Sequence, residues 1–415
     1  MSASTTITAL ASVEDARLAA LSGVEPVSGT ELVPLRDSLG RVLAEAVFTP
    51  HDLPPFDQSA MDGYAVRTAD FADGRLVLPV GARRPAGACQ ALDLSADPVA
   101  VRIFTGAQIP RGFDAVVMQE HVAVREGVAR FEGPPTSGDN IRHAGEDVPG
   151  GSLIMEPSAR MDARHVAILA AAGVPSVRVG RRVRVAVLST GSELREPGAA
   201  LLDGQIHDSN RAMLLALLDR AGVQLVDLGS IDDTPEEIAA AFAAAAAEND
   251  VVISTGGISV GEEDHVRHCI AAAGGQVAPL RAAIKPGKPA AVGRMDRAVL
   301  VGLPGNPVAA LVTFLWFARP IVERRMGLNP LPPRAVPARA AFEETRRPGR
   351  DEFIPVRILD LGDGELHLEK LGRAGSSRLS PLLGADGFAR IPAGWCEVLR
   401  GDVLPLYLFD GAFPV

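Results

Sequence analysis

Cysteine is scarce in this chain of 415 residues, and the three that occur, Cys89, Cys269 and Cys396, form no C-x-x-C pair. We expect reduced thiols rather than a disulfide framework or a zinc site. An excess of basic charge is also missing, because the formal net charge is −10 at pH 7. A negative net charge disfavours nonspecific binding to nucleic acid or anionic membranes.

Long apolar segments are also missing. No apolar run reaches the roughly 18 residues of a membrane span, and the amino-terminal stretch lacks a signal-peptide pattern. We therefore expect a cytoplasmic protein without a nucleic-acid or membrane partner.

Several common chemical motifs are absent as well. No G-x-G-x-x-G follows a predicted strand and no G-x-x-x-x-G-K-[ST] occurs, so dinucleotide and P-loop binding lack support. His265, His268 and Cys269 resemble part of a metal site, but the sequence offers no matching ligands for zinc. No Ser-His-Asp triad can be assigned either. The chemistry has to be sought elsewhere in the chain.

Residues 179–328 alternate short apolar runs with helical patterns. A long apolar helix is predicted over 308–326, and another helix over Asn210–Gly222 with Ser209 as its N-cap. This rhythm predicts a doubly wound parallel sheet, with helices on both faces. The predicted strands are Val183–Leu188, Gln224–Leu228, Val251–Ile253 and Ala298–Gly302.

The rest of the chain predicts three further parts of a multidomain α/β protein. Residues 51–144 carry runs of period two between Gly and Pro, which predicts an inserted β-barrel-like domain or sandwich. Residues 1–50 and 145–178 flank it as a helical linking domain, with helices expected at Val13–Leu21 and Leu35–Val47. Residues 333–415, again of period two, are expected to form a small C-terminal β domain.

One stretch stands out for its chemistry. The strand at Val251–Ile253 stops at Ser254-Thr255-Gly256-Gly257, and Gly261 and three acids, Glu262-Glu263-Asp264, follow. Glycines at the end of a buried strand let backbone N–H groups approach an oxyanion. The acids would repel that oxyanion unless a hard cation such as Mg²⁺ lies between them. The alternative is a tight turn without a ligand.

Similar turns follow the other predicted strands. The carboxyl ends of parallel strands meet at one edge of a sheet, where ligands of this fold class bind. One Mg²⁺ shared with a ligand phosphate is the commoner arrangement there, although a binuclear site stays open. Lys285 and Lys288, stiffened by neighbouring prolines, are expected to hold an oxyanion, or else belong to a solvated turn. The polar turns are Thr190-Gly191-Ser192-Glu193, Asp232-Asp233, Thr255–Asp264 and Gly302–Asn306, and Asp208 precedes a helix of the same region.

Polar groups also occur in the predicted β domain. Asp62 stands beside Gly63 on a loop that Pro54-Pro55 keeps extended. Thr105 begins a polar turn at the end of another predicted strand. A presented acid and a solvated connector are both open interpretations of this loop.

Eight ordered motifs together resemble one known family. The chain closely resembles the molybdopterin molybdenumtransferase family, which is MoeA-like and similar to the gephyrin E domain, over residues from about 10 to 410. Residues 180–327 also resemble the molybdopterin adenylyltransferase fold. The motifs are PPFDQSAMDGYAV, FTGAQIPRGFDAVV, RHAGED, LSTGSEL, DSNR, STGGISVGEEDH, IKPGKP and GLPGNPVAA.

The resemblance implies a reaction and an assembly. Adenylylated molybdopterin (molybdopterin-AMP) and molybdate would give molybdenum cofactor and AMP, with Mg²⁺ required. The family forms elongated homodimers whose pocket lies between the α/β domain of one subunit and the β domain of the other. Molybdopterin adenylyltransferase, and molybdoenzyme apoproteins or their chaperones, are the implied partners.

Residue roles are carried over position by position. The resemblance implies catalytic roles for Asp62, Thr105, Asp147, Glu193, Asp233 and Asp264, of which Glu193, Asp233 and Asp264 would also lie on the Mg²⁺ side. Arg281 stands where many members carry lysine, so that contact departs from the family pattern. The implied substrate-binding residues are Ser189, Thr190, Gly191, Ser254, Thr255, Gly256, Gly257, Ser259, Gly261, Arg281, Lys285, Lys288, Pro304, Gly305, Asn306, Ser376 and Ser377.

Three other functions are compatible with the same residues. A paralogue could insert tungstate, since oxygen donors separate two similar tetrahedral dianions poorly. A scaffold or binding protein could keep the fold without turnover, although the intact acids argue against it. A nucleotide hydrolase built on the α/β domain would act without molybdate.

Overall fold

The computed structural model describes residues 10–88, 98–219, 222–256, 265–287, 290–372 and 378–410. The chain forms two compact units. The core unit comprises Met1–Glu31, Gly40–Ala44 and Val179–Val415, and the inserted unit comprises Leu32–Leu39 and Glu45–Arg178. No helix among the described residues is long and apolar enough to cross a membrane. The finer division into four domains stays a prediction.

The helices follow the predicted patterns closely. The first spans Val13–Leu21, as predicted, and begins where the Ser12 hydroxyl accepts the N–H of Asp15 at 3.0 Å. The long helix predicted over 308–326 contains a π-helical segment, Phe314–Ala318, that ends two residues before Pro320. Proline lacks the N–H that a regular turn requires, and such widened turns accommodate it. The helices are α1 Val13–Leu21, α2 Ala163–Ala171, α3 Ser209–Asp219, α4 Pro235–Glu248, α5 His265–Ala272, α6 Pro307–Thr313 and α7 Arg319–Arg325.

The helix predicted at Leu35–Val47 is wrong. Leu35–Asp37 forms a single 3-10 turn, and Gly40 adopts φ +74°, which ends any helix. Leu43 is buried in an extended segment, where it pairs with Val179. Apolar residues of this segment, such as Leu43, are therefore buried although the chain there is extended rather than helical.

The inserted unit contains a six-stranded sheet in the order β7-β4-β6-β5-β9-β8, antiparallel except between β5 and β6. Phe131 packs edge-on against Phe71 in its core, with ring centroids 5.2 Å apart. The predicted inserted β domain is confirmed. The strands up to its end are β1 Thr30–Pro34, β2 Val47–Phe48, β3 Gln58–Ser59, β4 Gly63–Val66, β5 Val77–Arg84, β6 Ala100–Ile103, β7 Ala115–Met118, β8 Val122–Arg125, β9 Val128–Phe131, β10 Ile141–Arg142, β11 Leu153–Met155 and β12 Ser176–Gly180.

The core unit is built on a second six-stranded sheet, ordered β16-β13-β17-β21-β20-β18. The first four strands are parallel and the last two add an antiparallel edge. The predicted parallel sheet is confirmed. The remaining strands are β13 Arg184–Thr190, β14 Leu194–Arg195, β15 Ile206–His207, β16 Gln224–Ile231, β17 Val251–Thr255, β18 Gln276–Pro279, β19 Ile284–Lys285, β20 Ala291–Met295, β21 Ala298–Leu303, β22 Val336–Ala340, β23 Glu344–Thr345, β24 Asp351–Leu359, β25 His367–Lys370, β26 Gly387–Ile391, β27 Glu397–Val398 and β28 Val403–Leu408.

Alternate residues of the central strands face opposite sides of this sheet. Val185 and Val187 join the cluster that contains residues of α3, α6 and α7, whereas Ala186 and Leu188 join residues of α4 and α5. Both faces are thus covered by helices, which explains the continuous apolar runs in the sequence.

The carboxyl-terminal part forms a third sheet, ordered β19-β24-β25-β22-β28-β26. Its core includes Ile354, Leu368 and Leu406. The period-two pattern predicted β strands here, which is confirmed. Its edge strand β19 precedes this part in the chain and pairs with β24, so Lys285 lies opposite Glu352.

Candidate active site

A cavity of about 370 Å³ opens at the carboxyl edge of the parallel strands. Strands β13, β17 and β21 run parallel side by side, so the turns that follow them meet at this edge. The sequence-predicted residues Thr190, Glu193, Thr255, Gly256, Gly305 and Asn306 line it, together with Leu194, Ile206, His207, Asp208, Ser209, Asn210, Pro307 and Leu379.

The turn after β17 depends on a glycine. Gly256 has φ +86°, and a Cβ there would lie 2.3 Å from the carbonyl oxygen of Thr190. Any side chain would therefore collide with the backbone of the neighbouring strand end. At Gly256 the chain after β17 therefore lies in close contact with the carboxyl end of β13.

Asn210 ties three segments of this edge together. Its Nδ2 donates to Thr255 Oγ1 at 2.9 Å and to the Gly305 carbonyl at 2.7 Å. Thr255 Oγ1 in turn donates to the Pro304 carbonyl at 3.2 Å. The carboxyl end of β17 and the turn after β21 are consequently fixed relative to the start of α3. The sequence interpretation assigned no role to Asn210, although it belongs to the DSNR motif.

Some polar atoms at this edge lack partners. Thr190 and Asn210, which line the cavity, are 2% and 7% exposed, yet the Thr190 hydroxyl and Asn210 Oδ1 have no hydrogen-bond partner in the described chain. The same holds for the hydroxyls of Ser189 and Ser254 on adjoining strand positions. A buried polar group without a partner costs about 1–3 kcal/mol. These groups are suited to a polar ligand that presents both acceptors and donors.

The start of α3 differs from the sequence prediction. Ser209 is already helical, and the Asp208 carboxylate accepts the N–H of Arg211 at 3.0 Å, so Asp208 and not Ser209 supplies the cap. Arg211 is buried and also contacts Asp227 and Glu196. Burial lowers its pKa, but the hydrogen bonds that Arg211 donates to these carboxylates outweigh that effect and raise its pKa above the usual range. The wall of the cavity beside Asp208 is therefore braced by a permanent cation.

Glu193 and Asp233 follow the adjacent strands β13 and β16, but only one of them lines the cavity. Glu193 is exposed and lines the cavity, whereas Asp233 is exposed outside it, with its N–H donating to Ser192 Oγ at 3.3 Å. Neither carboxylate has a basic partner in the described residues. Two free carboxylates fit a hard cation. The described residues do not gather these two acids with a third donor.

Lys285 is engaged by an acid. Its Nζ lies 2.6 Å from Glu352 Oε1, and the Glu352 side chain is only 6% exposed. Arg346 Nε lies 3.1 Å from the other oxygen of Glu352, without hydrogen-bond geometry. Lys285 does not line the cavity, and its predicted oxyanion contact stays a prediction. Arg281 is exposed, and its carbonyl accepts the N–H of Ala11 at 2.8 Å.

The inserted unit brings two predicted residues together. Asp62 Oδ1 accepts the backbone N–H of Thr105 at 2.9 Å and its hydroxyl at 2.8 Å. The backbone hydrogen bond, then the hydroxyl, hold the pKa of Asp62 below its ordinary value. Asp147 is exposed, and its N–H donates to the Leu53 carbonyl at 3.0 Å. Asp62 is therefore a preoriented carboxylate at neutral pH.

The remaining predicted site residues lie outside the described part of the chain. They are Gly257, Ser259, Gly261, Asp264, Lys288, Ser376 and Ser377.

The fold and the cavity define a multidomain α/β protein with a partly polar cavity at the carboxyl edge of a parallel sheet. Three family models match in order: the MoeA N-terminal region (domain I and II) at 11–173, the probable molybdopterin binding domain at 186–324, and the MoeA C-terminal region (domain IV) at 337–409. The chain belongs to the molybdopterin molybdenumtransferase family, whose members are transferases of molybdenum cofactor biosynthesis. The resemblance expected from the motifs is confirmed.

Individual relatives match along nearly the whole chain. A molybdopterin molybdenumtransferase of Haemophilus influenzae is 37% identical over 383 residues, covering 92% of this chain and 94% of the relative. One from a Nostoc species is 36% identical over 389 residues, covering 91% and 89%. The crystal structure of a molybdopterin biosynthesis MoeA protein from Pyrococcus horikoshii superposes with a TM-score of 0.80 at 29% identity, covering 96% of this chain and 100% of that one.

Proposed function

We propose that this enzyme inserts molybdate into adenylylated molybdopterin and releases AMP in an Mg²⁺-dependent reaction. Water cleaves the pyrophosphate bond, so that AMP leaves. The two dithiolene sulfurs bind the molybdenum, and one molybdate oxygen leaves as water with the two thiol protons. Both reactants are anions, so the protein's task is to hold them side by side and to stabilise the charge at the phosphates.

The observation that carries this proposal is a pair of buried, unpartnered polar groups on two residues that line the cavity. The Thr190 hydroxyl can donate to a phosphate or molybdate oxygen, and Asn210 Oδ1 can accept from a hydroxyl or N–H of the same ligand. A phosphorylated pterin or nucleotide carries both kinds of group. The orphaned atoms therefore match the chemistry of this substrate better than that of an apolar one.

Glu193 and Asp233 are the described residues that would hold Mg²⁺, with Asp264 as the third expected ligand. When bound, the ion supplies positive charge against the pyrophosphate oxygens. The protein's own contribution is orientation: Asn210 fixes the end of β17 and the turn after β21, and Arg211 fixes Asp208 at the wall. Asp62, held ionised by Thr105, would receive a proton or orient a nucleophile.

We further propose a homodimer whose pocket combines the core unit of one subunit with the inserted unit of the other. This assembly would bring Asp62, Thr105 and Asp147 to Glu193 of the partner molecule. Molybdopterin adenylyltransferase and molybdoenzyme apoproteins or their chaperones would deliver and receive the cofactor. A cytoplasmic location belongs to the same proposal.

AMP release from adenylylated molybdopterin, measured with molybdate and Mg²⁺, tests the reaction. Glu193→Gln should lower kcat about 100-fold through loss of charge stabilisation, whereas Glu248→Gln, a 76% exposed carboxylate at the end of α4, should behave as wild type. AMP release that needs no molybdate would identify a hydrolase instead. Absence of AMP release and of cofactor in the wild-type reaction would contradict the proposal, and competition with tungstate would measure the choice of anion.

Complementation tests the shared pocket. Asp62→Asn and Glu193→Gln are each expected to lose nearly all activity. A re-equilibrated equimolar mixture should regain about a quarter of wild-type activity, since half of the dimers are mixed and each of these has one intact site. A mixture as inactive as its components would contradict a pocket shared between subunits.

A further inference from the structure

Arg102 lies on strand β6 of the inserted unit, next to the strand that begins directly after Asp62. Strand β4 begins directly after Asp62 and pairs with β6, so that Arg102 lies opposite Tyr64. Strand β7 pairs with the other side of β4 and ends directly before Gln119. The start of one strand and the ends of its two neighbours therefore meet around the Asp62 carboxylate.

The guanidinium of Arg102 bridges two of these segments. Its Nη1 donates to the Gly63 carbonyl at 3.0 Å and its Nη2 to Gln119 Oε1 at 2.6 Å. Gln119 in turn donates its backbone N–H to the Asp62 carbonyl at 3.1 Å. Arg102 thus fixes the backbone immediately after Asp62 and the residue that holds the Asp62 carbonyl.

Aromatic rings hold the guanidinium in place. Its Cζ lies 5.1 Å from the ring centroid of Tyr64 and 4.7 Å from that of Phe104. Arg83 stacks on Phe104 as well, at 4.6 Å. Stacking and two directed hydrogen bonds use the planar fork that arginine has and lysine lacks.

The backbone at Gly63 is closely packed against the neighbouring strand β7. A Cβ at Gly63 would lie 2.1 Å from the Val117 carbonyl oxygen. The start of β4 therefore lies in close backbone contact with β7, and the carboxylate of Asp62 projects from the residue just before it. Thr105, which donates to that carboxylate, follows Phe104 at the end of the β6 segment.

We propose that Arg102 is a positioning residue that holds the Asp62 carboxylate in the orientation required for molybdate insertion. This inference rests on the proposed function, in which Asp62 takes part in the reaction. Arg102 acts through Gly63 and Gln119 rather than on the substrate.

Charges around Asp62 agree with this role. Thr105 has the largest effect in lowering the pKa of Asp62, and the charge of Arg102 lowers the pKa further. Glu120, whose own pKa is lowered chiefly by its backbone hydrogen bond, faces Asp62 as a like charge, and His121 lies beside Glu120. Removing Arg102 should therefore raise the pKa of Asp62.

The test compares Arg102→Gln and Arg102→Lys with Arg83→Gln, which removes the other arginine stacked on Phe104. We expect kcat for AMP release to fall about 10- to 100-fold in Arg102→Gln, as for a small misplacement of a reacting group, with KM for molybdate within about threefold of wild type. Arg102→Lys should recover little of this loss, and Arg83→Gln should retain wild-type kcat. The acidic limb of the pH–kcat profile should move to higher pH in Arg102→Gln.

Wild-type kcat and an unmoved acidic limb in both Arg102 variants would overturn the inference. Thermal unfolding shows whether each variant folds. If Arg102→Gln does not fold, Arg102→Lys alone tests the inference, and a folded Arg102→Lys with wild-type kcat contradicts the positioning role. Asp62→Asn distinguishes failure of the proposed role of Asp62 from failure of the positioning role of Arg102. If it is fully active, the assignment of Asp62 in the proposed function fails; if it is inactive while the Arg102 variants match Arg83→Gln, only the positioning role fails.

Discussion

Replacing Asn210 by alanine should separate the stability of the cavity from its affinity for a ligand. The substitution removes two hydrogen bonds, to Thr255 Oγ1 and to the Gly305 carbonyl, worth about 1 kcal/mol each. It also removes the unpartnered Oδ1, whose burial costs about 1–3 kcal/mol. The two effects nearly cancel, so the free energy of unfolding without ligand should change by no more than about 1 kcal/mol in either direction.

Ligand binding should respond differently. Asn210 Oδ1 is expected to accept a hydrogen bond from adenylylated molybdopterin, and losing a bond worth about 1.4 kcal/mol weakens binding about tenfold. The assay is thermal unfolding with and without this ligand, in which bound ligand raises Tm according to its dissociation constant. The Asn210→Ala protein should melt near the wild type alone, but show a smaller rise in Tm with ligand.

Asn249→Ala is the matched control. Asn249 is equally buried, donates Nδ2 to the Ala245 carbonyl at 2.8 Å, and has an unpartnered Oδ1, but it follows α4 at the amino edge of the sheet. Its replacement should leave the ligand-induced rise in Tm unchanged. Unchanged ligand affinity in Asn210→Ala, or a loss above about 3 kcal/mol without ligand, would refute the reasoning.

Two further predictions concern ion pairs of the core unit. Glu352→Gln should lower the free energy of unfolding by about 2–3 kcal/mol, less than the loss of a fully buried pair, because Lys285 is 41% exposed. Glu369→Gln, in an exposed pair with Arg357, should cost under about 1 kcal/mol in the same denaturant titration. Equal losses would contradict a stabilising role for the buried Glu352 carboxylate. Burial opposes ionisation of Asp250, but hydrogen bonds from Arg181 and the Arg184 N–H hold its pKa below 3.8 in the folded state. The folded pKa is thus below the unfolded value, so this stabilisation is present above the unfolded pKa and lost as pH falls through the folded pKa. Wild-type stability should therefore decline below about pH 4, and the decline should be shallower in Asp250→Asn; parallel acid-unfolding curves would contradict the prediction.

Local patterns predicted the elements well because their causes are local. The helix Val13–Leu21 was predicted to the residue, and the strand predicted at Val251–Ile253 begins where predicted and continues to Thr255, since apolar period and turn residues define them. The helix expected at Leu35–Val47 failed because helical spacing cannot reveal that Gly40 takes a positive φ. Tertiary burial of extended chain decided that segment.

The candidate site was predictable only in part. Parallel strands must end together, so Thr190, Thr255 and Gly305 could be expected at one edge from the strand pattern alone. Asn210 was missed because a buried asparagine near a helix start resembles an ordinary cap. The contact of Lys285 with Glu352 depends on strand β19 joining a sheet formed much later in the chain, which no local pattern encodes.

A crystal structure of the enzyme soaked with AMP and molybdate would test most directly whether the carboxyl-edge cavity binds the anionic reactants. We predict anionic oxygens within hydrogen-bond distance of the Thr190 hydroxyl, and a ligand hydroxyl or N–H against Asn210 Oδ1. AMP and molybdate bound only elsewhere, with these two groups still unpartnered, would contradict the account.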